Sequence, residues 1–307
     1  GGAAITDTSV TYVNTSGNIW TAAYTTADND TTGSVAYSIA FSDSAGSAGT
    51  AVTSGGGSVT FEKTAPTLSS VSIASNNSTS TLASVGQVVT LSFTASETIS
   101  TPVVTFVSGG AAITDTSVTY VNTSGNIWTA AYTTADNDTT GSVAYSIAFS
   151  DSAGSAGTAV TSGGGSVTFD KTAPAFSSLS PSTSSTVNTT AVGYTLSEAI
   201  ASGTVTYTRT GGTADGTVHT VNLAGTELNS GTRSSAVLTN APTLVSGSIY
   251  TIAFNGTDAG GNSATEVSVT GITYDTTAPT VTSVSTTAHY WQLIARQVDS
   301  DNFTDGT

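Results

Sequence analysis

An internal duplication constrains this chain more than any other feature. Residues 1–66 return as residues 109–174 with one difference, Glu62 in the first copy and Asp170 in the second. The second copy begins at Gly109, so the period is 108 residues. That period is the size of a whole small domain and is much longer than the repeats of about 20–45 residues that stack into solenoids. Successive copies of one domain are more typical of a spacer or fibre than of an enzyme.

The strongly negative net charge disfavours some classes of binding partner and favours others. The chain has 20 acidic residues, five Lys and Arg and a formal net charge of −15. A nucleic acid or an anionic membrane surface would repel such a chain, whereas divalent cations would be attracted to it. Cysteine is absent, so neither disulfides nor thiol chemistry is expected. No apolar run approaches the roughly 20 residues of a membrane span, so we expect no membrane insertion in this segment.

Apolar residues alternate with polar ones in short runs, which indicates strands. Hydrophobic residues make up 37% of the chain, too many for a disordered segment, while charged residues make up only 8%. One complete period contains seven short strand-like segments separated by turn signals. These segments are 66–73, 87–94, 102–107, 117–121, 126–132, 143–149 and 166–169. The pattern predicts an all-β chain of tandem immunoglobulin-like β-sandwich domains in a linear array.

Recurring landmarks place the domain boundaries. The pentapeptide Tyr-x-Ile-Ala-Phe occurs at 37–41, 145–149 and 250–254, and an acidic residue followed by x-Thr-Ala-Pro occurs at 62, 170 and 275. Proline fixes φ and removes a backbone donor, so these sequences predict short, stiff joints. We therefore predict four parts. They are a partial domain at 1–62 without its first strands, a complete domain at 63–170, a divergent domain at 171–275, and a segment at 276–307 that is either the opening strand of a further domain or an assembly tail.

The landmarks also carry a family resemblance. Three of these sequence features resemble the bacterial Ig-like repeats of large surface and secreted proteins, including adhesin stalks. They are Phe-[Glu/Asp]-Lys-Thr-Ala-Pro, Phe-Thr-Ala-Ser-Glu in the second strand, and the Asp-containing, Gly-rich loop after Tyr-x-Ile-Ala-Phe. The resemblance covers nearly all of residues 1–287. It implies an extracellular or cell-surface location, and related adhesin repeats are stiffened by calcium.

Acidic residues recur at three places that an Ig-like sandwich brings to the end where the chain enters. We expect Asp170, Glu198 and Asp258 to gather at one joint, and Glu62, Glu97 and Asp151 to gather at the preceding joint. Ca²⁺ takes six to eight oxygen ligands, and backbone carbonyls, Asn262 or a Ser hydroxyl would supplement three carboxylates. The sequence therefore predicts calcium at the joints, with Mg²⁺ disfavoured by an irregular cage.

A second acidic pair lies at the opposite end of the predicted sandwich. Asp28 and Asp30 precede the sixth strand and return in the second copy as Asp136 and Asp138. They are predicted to contribute calcium ligands from the other side of a joint. The alternative for all these acids is that they solvate loops and cap turns, as Asp and Asn commonly do.

The sequence contains few residues that could support a catalytic mechanism. Its two histidines are His219 and His289, and neither near-identical copy contains one. His219 lies in a strand-like pattern that predicts a cross-strand surface position, so we do not expect an enzyme. Trp20 and Trp128 are interpreted as core or edge aromatics and not as a sugar platform.

Three functions follow, in order of support. The first is an extracellular structural protein, an adhesin-like stalk or fibre segment with calcium-dependent stiffness, whose partners are neighbouring repeats or other copies of the same chain. The second is a subunit of a self-assembling cell-surface filament or sheath, in which the tail of one chain completes the first domain of the next. The third is a ligand-binding module in which the divergent third domain contacts a surface ligand such as a glycan.

Overall fold

A computed structural model of the protein describes residues 2–6 and 9–283. The chain divides into two compact units, Gly1–Lys171 and Thr172–Thr307, which are described separately below. Strands dominate both units, and within the described residues the one helical element is a short 3₁₀ turn at Gly225–Leu228. None of the described helical structure has the length and apolar character needed to cross a membrane.

In its described residues, the first unit contains thirteen strands, several of them only two residues long. They are β1 Thr11–Ser16, β2 Ile19–Ala23, β3 Gly33–Ser34, β4 Thr60–Phe61, β5 Leu68–Ser75, β6 Leu82–Ala83, β7 Val88–Ala95, β8 Val103–Ser108, β9 Ala111–Ala112, β10 Thr119–Ser124, β11 Ile127–Thr133, β12 Gly141–Ala148 and β13 Thr168–Phe169.

Strands β5 to β13 build a complete two-sheet sandwich. One sheet has the order β10-β11-β7-β5 and the other the order β6-β13-β12-β8-β9. Strand β7 shows why these residues form strands, because its sequence VVTLSFTA alternates buried and half-buried positions along its whole length. Its inward residues Val89, Leu91 and Phe93 belong to one continuous hydrophobic core with residues of the second sheet. Each of the seven predicted strands of this domain has a counterpart among β5 to β13.

The first copy of the duplicated block forms only part of such a sandwich. Strands β1 and β2 pair as a hairpin with the same register as β10 and β11, and β3 pairs with β4 as β12 pairs with β13. Among the described residues, this block has no counterparts of β5, β7 and β8. Its apolar side chains therefore contribute nothing to the buried core of the unit.

Up to residue 283, where the described part of the chain ends, the second unit contains eight strands and the 3₁₀ turn. The strands are β14 Phe176–Ser180, β15 Thr186–Val187, β16 Val192–Leu196, β17 Ser202–Gly212, β18 His219–Asn222, β19 Gly231–Ala236, β20 Ser248–Thr257 and β21 Val267–Tyr274. They form one sheet of order β14-β16-β19 and another of order β15-β21-β20-β17-β18. A second core fills the space between these sheets, with Tyr194, Tyr207 and Phe254 among its fully buried residues.

The predicted fold class, all-β with immunoglobulin-like sandwiches in tandem, is confirmed. The division into 1–62, 63–170, 171–275 and 276–307 stays a prediction. Residues 284–307 lie outside the described residues, as does nearly all of the predicted opening strand or assembly tail.

Candidate metal centre

The loop after β12 places Asp151 in a tight turn. Its backbone N–H donates to the carbonyl of Ser155 at 3.1 Å, and its Oδ1 accepts the N–H groups of Ala153 and Ser155, each at 2.8 Å. Gly154 adopts φ +97°, a left-handed conformation that favours glycine. The sequence Asp-Ser-Ala-Gly-Ser therefore specifies this turn through its own hydrogen bonds.

The other carboxylate oxygen of Asp151 has no such support. Asp151 is only 4% exposed, and its Oδ2 has no hydrogen-bond partner among the described residues. Removing a charged oxygen from water without a partner costs several kcal/mol. A cation coordinated by Oδ2 would offset this cost, so the residue type and its surroundings fit an oxygen-seeking metal ion.

Glu62 lies close enough to Asp151 for their charges to interact. The backbone N–H of Thr64 donates to Glu62 Oε1 at 2.6 Å and holds the pKa of Glu62 below its usual range, while the Asp151 charge opposes that shift. Glu97 is half-buried and precedes Ile99, which forms a β-bridge to Asp151. The backbone thus brings the loops of all three predicted ligands to one region of the first unit.

The second unit brings two predicted ligands together more tightly. One carboxylate oxygen of Glu198 and one of Asp258 lie within 4.8 Å of each other. Asp258 is buried and Glu198 is half-buried. Asp170, the third predicted ligand of this set, is a half-buried residue of the first unit, and its place in the set stays a prediction. Within the described residues, Glu62, Glu97 and Asp151 do not all lie within that distance of one another.

Asp258 is held by a turn similar to that of Asp151. Its Oδ1 accepts the backbone N–H of Asn262 at 2.8 Å and its Oδ2 accepts the side-chain amide of Asn262 at 2.9 Å. Asn262 was predicted to supplement the metal ligands. Its amide nitrogen instead orients the Asp258 carboxylate, and its ligand role stays a prediction.

The spacing of Glu198 and Asp258 is compatible with calcium. Ca²⁺ binds oxygen at about 2.3–2.6 Å, so two ligands on opposite sides of the ion lie up to about 5 Å apart. A further carboxylate, backbone carbonyls or water would complete a shell of six to eight oxygens. This acidic pair can therefore take part in holding a metal ion.

The structure gives Asp30 a different set of partners. Asp30 is buried, and its Oδ1 accepts the N–H and hydroxyl groups of Thr6 at 2.7 and 2.9 Å. Its Oδ2 accepts the N–H of Ala27 at 2.9 Å. The Thr6 N–H is the main reason that the pKa of Asp30 is lowered. These hydrogen bonds account for the burial of Asp30 as a clamp between loop segments, and its metal role stays a prediction.

Asp28 is exposed, and it contacts the linker lysine through its backbone carbonyl oxygen. The Nζ of Lys63 donates to the carbonyl oxygens of Asp28 and Asp30, both at 2.7 Å. In the second copy, Lys171 Nζ donates to the carbonyl of Asp136. The linker lysine thus ties the joint to this loop in both copies. Calcium coordination by Asp28 stays a prediction.

A third turn of this type, at Asp43, was not among the predicted sites. Asp43 is the counterpart of Asp151 in the first copy, and its Oδ1 accepts the N–H groups of Ala45 and Ser47 at 2.9 Å. Asp43 is exposed. Its signal was present in the sequence, because an aspartate stands two residues after Tyr-x-Ile-Ala-Phe in both copies.

A hydrogen-bonded cluster in the second unit was also missed. Asp215 Oδ2 accepts the hydroxyl of Tyr250 at 2.6 Å and lies 2.9 Å from His219 Nε2. The Tyr250 hydroxyl first, and His219 next, lower the pKa of Asp215 to about 2. His219 itself pairs with Tyr207 across β17 and β18, as a cross-strand residue. The cluster links β18 to β20 through the loop that carries Asp215.

No family model matches the chain, and no curated protein sequence matches it. Among solved structures, domains A168–A170 of titin are 15% identical, with 72% of each chain covered and a TM-score of 0.31. DIP-gamma IG1+IG2 is 9% identical over 69% of this chain and 100% of that one, with a TM-score of 0.32. The Ig1–Ig3 ectodomain of mouse nectin-like molecule 4 is 14% identical over 71% and 67%, with a TM-score of 0.28. The fold assignment itself comes from the paired sheets of each unit.

Proposed function

We propose that this protein is an extracellular structural segment, a stalk or fibre of repeated Ig-like domains with calcium-dependent stiffness. The observation that carries the proposal is the buried Oδ2 of Asp151, which has no hydrogen-bond partner among the described residues and whose charge interacts with that of Glu62. Glu62 stands in the segment that connects successive repeats, and Glu97 and Asp151 stand in loops of the repeat that follows it in sequence. A calcium ion bound by these acids would therefore restrain the connecting segment.

Electrostatics explains how the ion would control stiffness. Without a cation, neighbouring carboxylates such as Glu62 and Asp151 repel each other, and the repulsion is strong where the side chains are withdrawn from water. With Ca²⁺ bound, the same charges become attractive through the ion. The residues would then favour one arrangement of the connecting segment when calcium is present and several when it is removed.

The second unit supports the same function. One carboxylate oxygen of Glu198 lies within 4.8 Å of one of Asp258, and Asp170 from the preceding connecting segment is the predicted third ligand. A second calcium ion at these acids would act in the same way one period later. The natural partners of such a segment are further repeats, and an adhesin-type surface protein is the architecture that uses them.

Small-angle scattering of the full chain with calcium and with a chelator tests the proposal. We expect a larger and better-defined maximum dimension with calcium. The variant Glu198→Gln should show the chelated profile in both conditions, while Glu266→Gln, an exposed acid of the same unit, should behave as the unaltered chain. An unchanged maximum dimension on chelation would contradict calcium-dependent stiffness.

A second candidate function is a subunit of a self-assembling cell-surface filament or sheath. In this version, the tail of one chain completes the first domain of the next by strand addition. Electron microscopy of the native material distinguishes the two functions. A polymer that repeats at about one chain length supports assembly, whereas an unbranched tether attached to a cell supports the stalk.

A further inference from the structure

The sequence contains a single Asn-Gly dipeptide, Asn255-Gly256, near the end of strand β20. Residues of β20 alternate between buried and half-buried, and Asn255 is one of the half-buried positions. An open polar cleft runs over this face of the sheet, and its side chains include those of Ser202, Thr204, Asn222, Asn255, Thr257 and Ser263. The side chain of Asn255 is therefore within reach of water.

A hydrogen bond holds the two residues of this dipeptide against each other. The backbone N–H of Gly256 donates to Asn255 Oδ1 at 2.7 Å. On this side of β20, the ladder with β21 ends at the pair of Phe254 and Val267, so Gly256 lies beyond it. The carbonyl of Gly256 accepts the N–H of Ala264 at 2.8 Å. The N–H of Gly256 is thus directed at the side chain of the residue before it, which keeps the Asn255 side-chain carbonyl beside the Gly256 nitrogen.

Packing between the two sheets keeps position 256 a glycine. A Cβ at Gly256 would lie 2.8 Å from Ile200 Cδ1, 3.1 Å from the carbonyl oxygen of Ser202 and 3.4 Å from Phe176 Cε2. The first two distances are too short for ordinary van der Waals contact, so a larger residue would displace the core. A glycine nitrogen is also the backbone nitrogen that a neighbouring side chain approaches most easily, because no Cβ shields it.

We propose that Asn255 is a site of spontaneous deamidation in the folded protein. The Gly256 nitrogen loses its proton to solvent, and its lone pair attacks Cγ of Asn255. The new N–Cγ bond closes a five-membered succinimide ring, the bond from Cγ to the amide nitrogen breaks, and that nitrogen leaves as ammonia after taking a proton from solvent. Water then opens the ring at one of its two carbonyl groups and yields aspartate or isoaspartate. The reaction consumes water alone and needs neither an oxidant nor a metal.

Both products alter this end of β20. Each replaces a neutral amide with a carboxylate, so the chain gains one negative charge. Isoaspartate also adds one carbon atom to the backbone of residue 255. The pairing of Asn255 with Thr204 and that of Thr257 with Ser202 then no longer fit one register. We therefore expect isoaspartate to loosen β20 from residue 255 onwards, while the part before it stays anchored by the buried Phe254.

Mass spectrometry of the full chain, incubated in mildly alkaline buffer made with heavy-oxygen water, tests the proposal. Cleavage after aromatic residues releases 255–274, a peptide that carries Asn255 and Asn262 together. We expect Asn255 to gain the mass of the amide-to-acid change and the heavy oxygen at least about tenfold faster than Asn262, because its attacking nitrogen is held in place. Asn222, in the same cleft but followed by Leu223, should stay unchanged over the same period.

A denatured sample and a variant make the result decisive. Conversion at Asn255 in denaturant shows that the assay detects it, and a folded chain that keeps Asn255 intact under the same conditions overturns the proposal, since the sheet would then protect the amide. Equal conversion at Asn255 and Asn262 in the folded chain also overturns it. The incubated chain should melt at a lower temperature than the fresh one, and an Asn255→Gln chain incubated alongside should not. An equal fall in both would assign the change to another site.

Discussion

Asp43 and Asp151 occupy the same turn with the same hydrogen bonds, yet only Asp151 is buried. The N–H of Ser47 donates to Asp43 Oδ1 at 2.9 Å and the N–H of Ser155 donates to Asp151 Oδ1 at 2.8 Å. Asp43 is exposed, whereas Asp151 is buried with its Oδ2 unpartnered among the described residues. Comparing the two residues separates the turn geometry, which the local sequence determines, from the burial, which the surroundings determine. Asp43 also serves as a matched control for calcium binding at Asp151.

Replacing Asp151 with Asn should remove the calcium response of the first unit. Ligand that binds only the folded state at about 100 times its Kd stabilises by about 2.7 kcal/mol. We expect the calcium-induced rise in melting temperature of the first unit to disappear in Asp151→Asn and to persist in Asp43→Asn. Thermal unfolding followed by circular dichroism, with calcium and with a chelator, measures it. An equal calcium response in both variants would exclude Asp151 as a ligand.

Glu198→Gln should weaken calcium binding at the Glu198–Asp258 pair. Removing one of the charged ligands should reduce affinity about tenfold or more, which corresponds to about 1.4 kcal/mol or more. Titration calorimetry of the full chain should show the loss of one class of site. Glu266→Gln removes the same charge from an exposed position and should leave the titration unchanged. If both variants reduced affinity equally, net charge and not coordination would be responsible.

Truncation at Ile147 and Ile39 should have very different effects on the chain alone. These residues are identical in local sequence, but Ile147 is buried in the core and Ile39 is largely exposed. Ile147→Ala should lower the free energy of unfolding by about 2–5 kcal/mol, because the lost contacts leave a cavity. Ile39→Ala should change it by no more than about 0.5 kcal/mol. Denaturant unfolding measures both, and comparable losses would mean that the first block is already covered in solution.

Acid should destabilise the second unit through Asp215. The hydrogen bond from Tyr250 and then the His219 contact lower the pKa of Asp215 from 3.8 to about 2. A lowered pKa in the folded state contributes stability at pH values above 3.8, and that stability is lost as the pH falls towards 2. Tyr250→Phe removes the main cause, so the pKa of Asp215 should rise towards 3.8 and part of this acid dependence should disappear. Carboxyl NMR titration measures the pKa directly, and a value near 3.8 in the unaltered chain would contradict the prediction.

Much of the fold was predictable because it depends on short-range pattern. The alternation in residues 87–94 predicted a half-buried strand; the structure has a strand at Val88–Ala95 and places Leu91 and Phe93 in the core. Recurrence predicted that acids of separate loops would converge, and Glu198 and Asp258 of the second unit lie close together. The partners of Asp30 were not predictable in this way, since its carboxylate binds Thr6, which lies 24 residues earlier in the chain. The cluster around Asp215 likewise joins residues 35 positions apart.

The two copies of the duplicated block distinguish the features that the local sequence determines from those that depend on tertiary structure. Sequence alone determined the turns at Asp43 and Asp151 and the hairpins β1–β2 and β10–β11, because their hydrogen bonds join residues that are close in the chain. These elements are therefore alike in both copies. Tertiary structure alone decided that Trp128 is core and Trp20 is surface, and that Asp151 is buried and Asp43 is not. The physical reason is that burial requires the distant strands β5, β7 and β8, and these cover one copy of the block and leave the other bare.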